Sequence, residues 1–283
     1  MNSEQILDLA SMPAAGPSYP RGPYRFIDRE YFIVVYESDE EAIRKAVPEP
    51  LEPLPEGVVY YEFIRMPDSS GFGDYTESGL VIPCTYEGQP CNFTSQMYLN
   101  DDPPIAAGRE IWGFPKKYAE PKLEIATDTL TGTLHYAGQL VAMGTMAYKH
   151  EPHVRDIDKT YETLQKTQVN LKLIPGVDGK PEIAQLVAYN LTEVTVKGSW
   201  TGPARLHLVP HVNAPVADLP VKRVLGGRHF IADLTLPYGR VLYDYLREQE
   251  DLEALRSRDA ELIEMHPKRQ VKKKEVRNFY GRE

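Results

Sequence analysis

Cysteine is scarce in this chain of 283 residues: Cys84 and Cys91 are the only two. A four-thiol zinc site is thereby excluded, and a disulfide scaffold with it. The opening Met1-Asn2-Ser3-Glu4 has neither the basic nor the apolar region of a secretory signal, so a cytoplasmic protein with reduced thiols is expected. The sequons at Asn92 and Asn190 then carry no meaning. No stretch reaches the 18 apolar residues of a membrane span. Positive charge is also short. With 32 Lys and Arg against 41 Asp and Glu the net charge is −9, which argues against nucleic acid or an anionic membrane as the main partner. No repeat of 20–50 residues is visible.

What is present reads as many short strands. Tyr31–Tyr36, Val58–Met66, Gly79–Thr85 and Phe93–Leu99 are rich in β-branched and aromatic residues. Lys122–Ala126, Gly132–Tyr136, Leu140–Tyr148, Asn170–Ile174, Ala184–Trp200, Arg205–Val209 and His229–Leu236 continue the pattern, with Gly, Pro, Asn or Asp between most of them. The expectation is a mainly β (α+β) domain, antiparallel and closed into a barrel. A few helices accompany it. Ser3 opens a short one, and Ser38 with Glu41 forms a capping box for another that Pro48 stops. From Tyr238, Val241, Leu242, Tyr245, Leu246, Leu252, Leu255, Leu262 and Ile263 fall at helical spacing, so a helix to about His266 is expected. The tail from His266 to Glu283 carries seven basic and two acidic residues and reads as solvated or subunit-contacting.

Two weaker features are read as structural. His207 and His211 are four apart, but Pro210 and β-rich neighbours deny them a shared helix face, so they are not taken as metal ligands. Leu225-Gly226-Gly227-Arg228 lacks the lysine and spacing of a phosphate loop and is read as a turn.

The chemistry centres on Gly108-Arg109-Glu110-Ile111-Trp112-Gly113-Phe114-Pro115-Lys116-Lys117-Tyr118. A lysine is a nucleophile only when neutral, which needs desolvation or a nearby positive charge. Upstream, Arg29, Glu62 and Glu77 stand in apolar settings, where a charge must be paired or functional if buried.

Together with Pro20-Arg21-Gly22-Pro23-Tyr24, Arg29-Glu30-Tyr31-Phe32, Pro48-Glu49-Pro50-Leu51-Glu52, Tyr75-Thr76-Glu77-Ser78-Gly79, Gly108-Arg109-Glu110, Phe114-Pro115-Lys116-Lys117, Trp200-Thr201-Gly202-Pro203 and Asp218-Leu219-Pro220-Val221-Lys222, these residues resemble the acetoacetate decarboxylase family. The resemblance covers about residues 15–247 in order. It implies a domain over 1–247 folded as a cone-like β-barrel, homo-oligomeric, with a charged helical extension over 248–283. It implies decarboxylation of a β-keto acid, acetoacetate, to acetone and CO2 through a lysine Schiff base, with no metal or organic cofactor. Lys116 matches the imine-forming lysine and Lys117 its neighbour. Arg29, Glu62 and Glu77 match the charged site residues, while Phe114 and Met97 match apolar pocket positions. Phe114 stands where tyrosine can occur. Trp112, four residues before the lysine, is expected to narrow the pocket.

Adjacent side chains point apart on a strand or a helix, so Lys116 and Lys117 are not expected to share one pocket. Desolvation is taken as the first cause of a neutral Lys116 and Arg29 as a second, with Lys117 facing an acid elsewhere. Arg29 suits a substrate carboxylate. Glu62 and Glu77 could orient Arg29, shuttle protons or repel the departing carboxylate. A rival on the same lysine is an aldolase–dehydratase joining pyruvate to an aldehyde. A binding barrel without chemistry is the other.

Overall fold

A computed structural model describes residues 1–152, 157–249 and 253. The chain divides into two units, Met1–Tyr243 and Asp244–Glu283. Among its described residues the first holds sixteen strands and four short α-helices. In chain order these begin with α1 (Ser3–Leu7), β1 (Tyr24–Glu37), α2 (Glu40–Ala46), β2 (Glu52–Pro53), β3 (Val58–Ser69), β4 (Gly73–Tyr86) and β5 (Gln89–Leu99). Next come α3 (Asp102–Ala107), a π-helical turn (Gly108–Trp112), β6 (Lys116–Tyr118), β7 (Glu120–Ala126), β8 (Thr129–Tyr136) and β9 (Gln139–Ala147). The rest are β10 (Glu151–Pro152), α4 (Ile157–Gln165), β11 (Thr167–Pro175), β12 (Pro181–Tyr189), β13 (Thr192–Gly202), β14 (Ala204–Leu208), β15 (Arg223–Leu236) and β16 (Arg240–Asp244).

The mostly antiparallel β expectation holds, with two departures in pairing: β5 runs parallel to β6 and to β11. Twelve strands form one sheet along the path β10-β13-β15-β1-β3-β4-β5-β11-β12-β16, with β2 and β6 on its flanks. A second sheet runs β14-β9-β8-β7. The described strands of the large sheet thus form an open path, not a closed ring.

Several local expectations shift. The cap of α2 is Asp39, whose Oδ1 accepts from the backbone amides of Glu41 and Ala42; Ser38 is buried instead. Ala184–Trp200 is two strands broken at Asn190. Val241 and Leu242 lie on β16, where the helix was expected, and helix begins only at residue 245. Short amphipathic runs fit either period, so tertiary pairing decides. The remainder of that expected helix, the basic tail and the 248–283 extension lie outside the described residues, apart from 248, 249 and 253. Leu225-Gly226-Gly227-Arg228 is no turn but part of β15, paired with β1. Both cysteines are free and buried, facing one another across β4 and β5, and burial pushes the Cys84 thiol up to about 12 and that of Cys91 to about 11. Among the described residues no helix is long and apolar enough to cross a membrane.

The two sheets meet where Phe32 and Phe63 stack, ring centroids 5.7 Å apart, beneath the small sheet. Gly132 of β8 admits the Phe63 ring so closely that a Cβ there would lie 2.2 Å from its Cγ. Overpacking of that kind costs about 1–3 kcal/mol. Gly132→Ala is therefore expected to lower the free energy of unfolding by that amount, and the denaturant midpoint with it. An unchanged midpoint would mean the ring has room to move.

Candidate active site

The register of the large sheet lines up the residues singled out by sequence. Reading across neighbouring strands, Arg228 pairs with Ile33, Ile33 with Glu62, Glu62 with Gly79, Gly79 with Met97, and Met97 with Lys116. The next row but one holds Phe230, Tyr31, Ile64 and Glu77. Side chains on a strand alternate faces, so these two rows, two residues apart on each strand, face the same side. Tyr60, Glu62 and Ile64 of β3, and Tyr75 and Glu77 of β4, accordingly all line one cavity of about 80 Å³. Arg29 joins them through a bulge in β1. The pairing with β15 slips between Phe26 and Arg29, and Asp28 at φ 55° absorbs the extra residue. Lys197 pins the bulge from outside, 2.6 Å from Asp28 and 2.7 Å from Asp233.

Lys116 arrives at the cavity from a distinctive connection. Pro103 and Pro104 open α3, the chain widens into the π-helical turn, and Gly113 ends it at φ 74° with its Cα pressed on β11. The Arg109 guanidinium donates to the Lys116 carbonyl at 3.1 Å. Gly108 leaves the path of the lysine clear: a Cβ there would stand 2.6 Å from Lys116 Cδ. β6 then turns Lys116 inward, 6% exposed, and Lys117 outward. Lys117 Nζ donates to the Asn213 carbonyl at 2.5 Å and sits 4.9 Å from the Tyr136 ring centroid. It faces a carbonyl and a ring, not the acid expected, and it does not line the cavity.

Inside, Lys116 Nζ lies 2.7 Å from Glu77 Oε1, a contact angled outside hydrogen-bond geometry, and 5.0 Å from the Phe114 ring centroid. Arg29 Nη2 lies 3.7 Å from Glu77 Oε2, and its guanidinium covers the Phe26 and Tyr31 rings at 5.1 and 4.8 Å. Burial lowers the pKa of Lys116 and outweighs the opposing pull of Glu77; Arg29 adds to the lowering. Burial likewise pushes Glu62 up to about 7, relieved in part by Arg29 and reinforced by Glu77. The site therefore offers a desolvated amine, a fixed cation and a carboxyl that titrates near neutrality. That set can form an imine, hold an anion and move a proton.

Phe114 and Met97 line the cavity as expected. Trp112 does not. It is 1% exposed, stacks on Tyr238, donates from Nε1 to the Pro237 carbonyl at 2.9 Å, and backs Phe114 from behind. Its ring is taken up by that aromatic cluster, so it supports the wall and does not narrow the space. Tyr31, Tyr75, Tyr189, Gly108 and Arg228 were not picked out from sequence as site residues. Tyr75 had a signal, being two residues from Glu77 on a strand; Tyr189 had none. His207 sits on β14 while His211 Nδ1 accepts from the Asn213 amide, so no metal pair forms from them.

Comparisons with known proteins give the family. A family model described as acetoacetate decarboxylase matches residues 11–246. An acetoacetate decarboxylase of Acidiphilium cryptum is 56% identical over 87% of this chain and its own full length. One of Bordetella avium is 58% identical over 83% of this chain and 95% of its own. The crystal structure of an acetoacetate decarboxylase from Legionella pneumophila superposes with TM-score 0.80 at 51% identity, covering 87% of this chain and 99% of that one. The chain belongs to the acetoacetate decarboxylase family.

Two outcomes follow from the electrostatics. Lys117 points out of the cavity, so Lys117→Met should leave the apparent pKa of Lys116 nearly unchanged, whereas Glu77→Gln should lower it further by removing the carboxylate that favours the ammonium. The pH dependence of amine modification measures both, and a large shift in Lys117→Met would contradict the assignment.

Glu62 makes a stability prediction of definite sign. Its folded pKa, about 7, lies above its ordinary 4.5, so the folded state binds the proton more tightly than the unfolded chain. Its contribution is then fully favourable below about pH 4.5 and lost as pH rises through about 7. Glu62→Gln should unfold at higher denaturant than the parent at pH 8, with the gap closing toward pH 4.5. A gap independent of pH would refute the raised pKa.

Proposed function

We propose that this chain decarboxylates acetoacetate to acetone and CO2 through an imine on Lys116. The observation that carries this reading is a lysine kept below its usual pKa by burial, in contact with a carboxylate and beside an arginine, in a chain of this family.

The chemistry follows from what a β-keto acid lacks. Losing CO2 leaves an electron pair next to a carbonyl, and a neutral ketone is a poor acceptor. The Lys116 amine adds to the ketone and expels water, giving an iminium that accepts the pair as the carbon–carboxylate bond breaks. The resulting enamine takes a proton on carbon. Water then hydrolyses the iminium, releasing acetone and the free amine. No group beyond the lysine is needed as electron sink.

Arg29 suits the substrate carboxylate, since its guanidinium is fixed over two rings and Nε lacks a hydrogen-bond partner. Glu77 bridges Arg29 and Lys116 and so orients both. Its charge also opposes a carboxylate held beside it, which favours departure as neutral CO2. A raised pKa near 7 and a place in the cavity lining support Glu62 as the group that returns the proton to carbon. Phe114 and Met97 keep the amine dry. The cone-like barrel architecture, the homo-oligomer and the division into a 1–247 domain with a 248–283 extension belong to the same reading, supported by family membership over residues 11–246.

Borohydride added during turnover should trap one substrate-derived adduct per active chain, mapping to Lys116. Arg29→Ala should trap more slowly with acetoacetate. An adduct on Lys117 alone, or none with acetoacetate, would overturn the proposal.

A further inference from the structure

The cavity's charges do not balance in the substrate's favour. Lys116 is kept toward its neutral form, Arg29 stands beside Glu77, and Glu62 is partly ionised near neutrality. An incoming β-keto carboxylate must also approach a protein of net charge −9. Something at the entrance has to supply uncompensated positive charge.

Arg228 is that group. It lies in the same row of the sheet as Glu62 and Lys116, at the opposite end from the lysine, and its exposed side chain borders the cavity beside Tyr60 and Phe230. It also borders a recess of about 190 Å³ lined by Lys159, Thr160, Thr163, Ser199 and Thr201, in which Lys159 has contacts of its own. It has no ion-pair partner among the described residues, unlike Arg21, Arg25, Arg29 and Arg223. An arginine that faced only solvent would not border both hollows. A β-bulge lies just before this stretch, the pairing with β1 slipping between Val35 and Tyr36, and Arg228 then pairs in register with Ile33.

Resting on the decarboxylase reading above, we propose that Arg228 is a specificity-determining residue: it captures the carboxylate of the incoming substrate at the cavity mouth and passes it inward to Arg29. The mouth thereby selects anionic ketones over neutral ones of similar size. The guanidinium offers two parallel donors to a carboxylate and stays charged at every working pH. Because it is exposed, its pull is weakened by salt.

The test compares Arg228→Gln with the parent on two probes. One is acetoacetate, followed both by CO2 release and by the rate of borohydride-trapped adduct on Lys116. The other is neutral pentane-2,4-dione, which condenses with the same amine and carries no carboxylate. Arg228→Gln should lower kcat/KM and the trapping rate for acetoacetate by about tenfold, and flatten their dependence on ionic strength. The rate with the neutral dione should stay within about twofold, since steering acts on charge alone. Arg228→Lys should recover most of the loss. Equal losses with both probes would reveal a structural role, and no loss with either would show that capture occurs elsewhere; both overturn the proposal. If the parent released no CO2 but its Lys116 was trapped faster by acetoacetate than Arg228→Gln allows, with the dione unaffected, the decarboxylase reading would fail while the capture site stood.

Discussion

Everything at this site depends on burying one amine. An ammonium in an apolar wall loses its hydration, and the cost falls on the charged form alone. Glu77 at 2.7 Å pulls the other way, and a well-formed ion pair would restore the charge. Burial wins because Glu77 is shared. Its second oxygen faces Arg29, whose permanent charge both draws on the carboxylate and repels a proton on Lys116. The three groups form a line in which the end cation is fixed and the other end is left able to lose its proton. Lys117, though adjacent in sequence, has no part in that balance because a strand turns it to the opposite face.

The fold makes this arrangement through register. Most side chains that meet in the cavity come from β1, β3, β4, β5, β6, β11, β12 and β15, and these are placed by which residue they oppose on the next strand. A slip of one residue in β3 would turn Tyr60, Glu62 and Ile64 away together. Two irregularities are built in where regular pairing fails to deliver. The bulge in β1 aims Arg29, and the π-helical turn with Gly108 clears a channel for the lysine. Both lie next to the chemistry, as bulges and π turns commonly do.

That division also explains what the sequence disclosed. Strand content was readable from β-branched and aromatic runs, and the opposed faces of Lys116 and Lys117 from strand geometry. The helix α3 carried an unused signal, since Asp101-Asp102-Pro103-Pro104 is a helix start with proline in the first turn. α4 could have been found too, with Ile157, Thr160, Tyr161 and Leu164 at helical spacing. Trp112 was misplaced because it closes the π turn, and the chain reverses at Gly113, φ 74°, before it reaches the lysine. Tyr189, Arg228 and the Arg29 bulge depend on which strands meet, and no local pattern states that. Val241 and Leu242 were misread for the same reason: an apolar pair has no period of its own until a neighbouring strand supplies one.

The charge pattern carries the argument one step further. A protein of net charge −9 that works on an anion needs its positive groups brought together, and the sheet lines them along one cavity. Arg228 and Lys116 are separated along their row by four strands with Glu62 between them, while Arg29 and Glu77 reach the same cavity from other positions of β1 and β4. Exposure falls along the same direction, from the exposed Arg228 through the 12% of the Arg29 side chain to the 7% of the Lys116 side chain. Each step inward exchanges hydration for fixed protein groups. A β-keto acid following that gradient meets its first cation where salt still screens it and its last group, the amine, where water is largely excluded. The reacting carboxylate would then be held by Arg29 in a medium that penalises charge. Loss of CO2 removes the substrate's charge, so the dry end of the row favours the product side of the step.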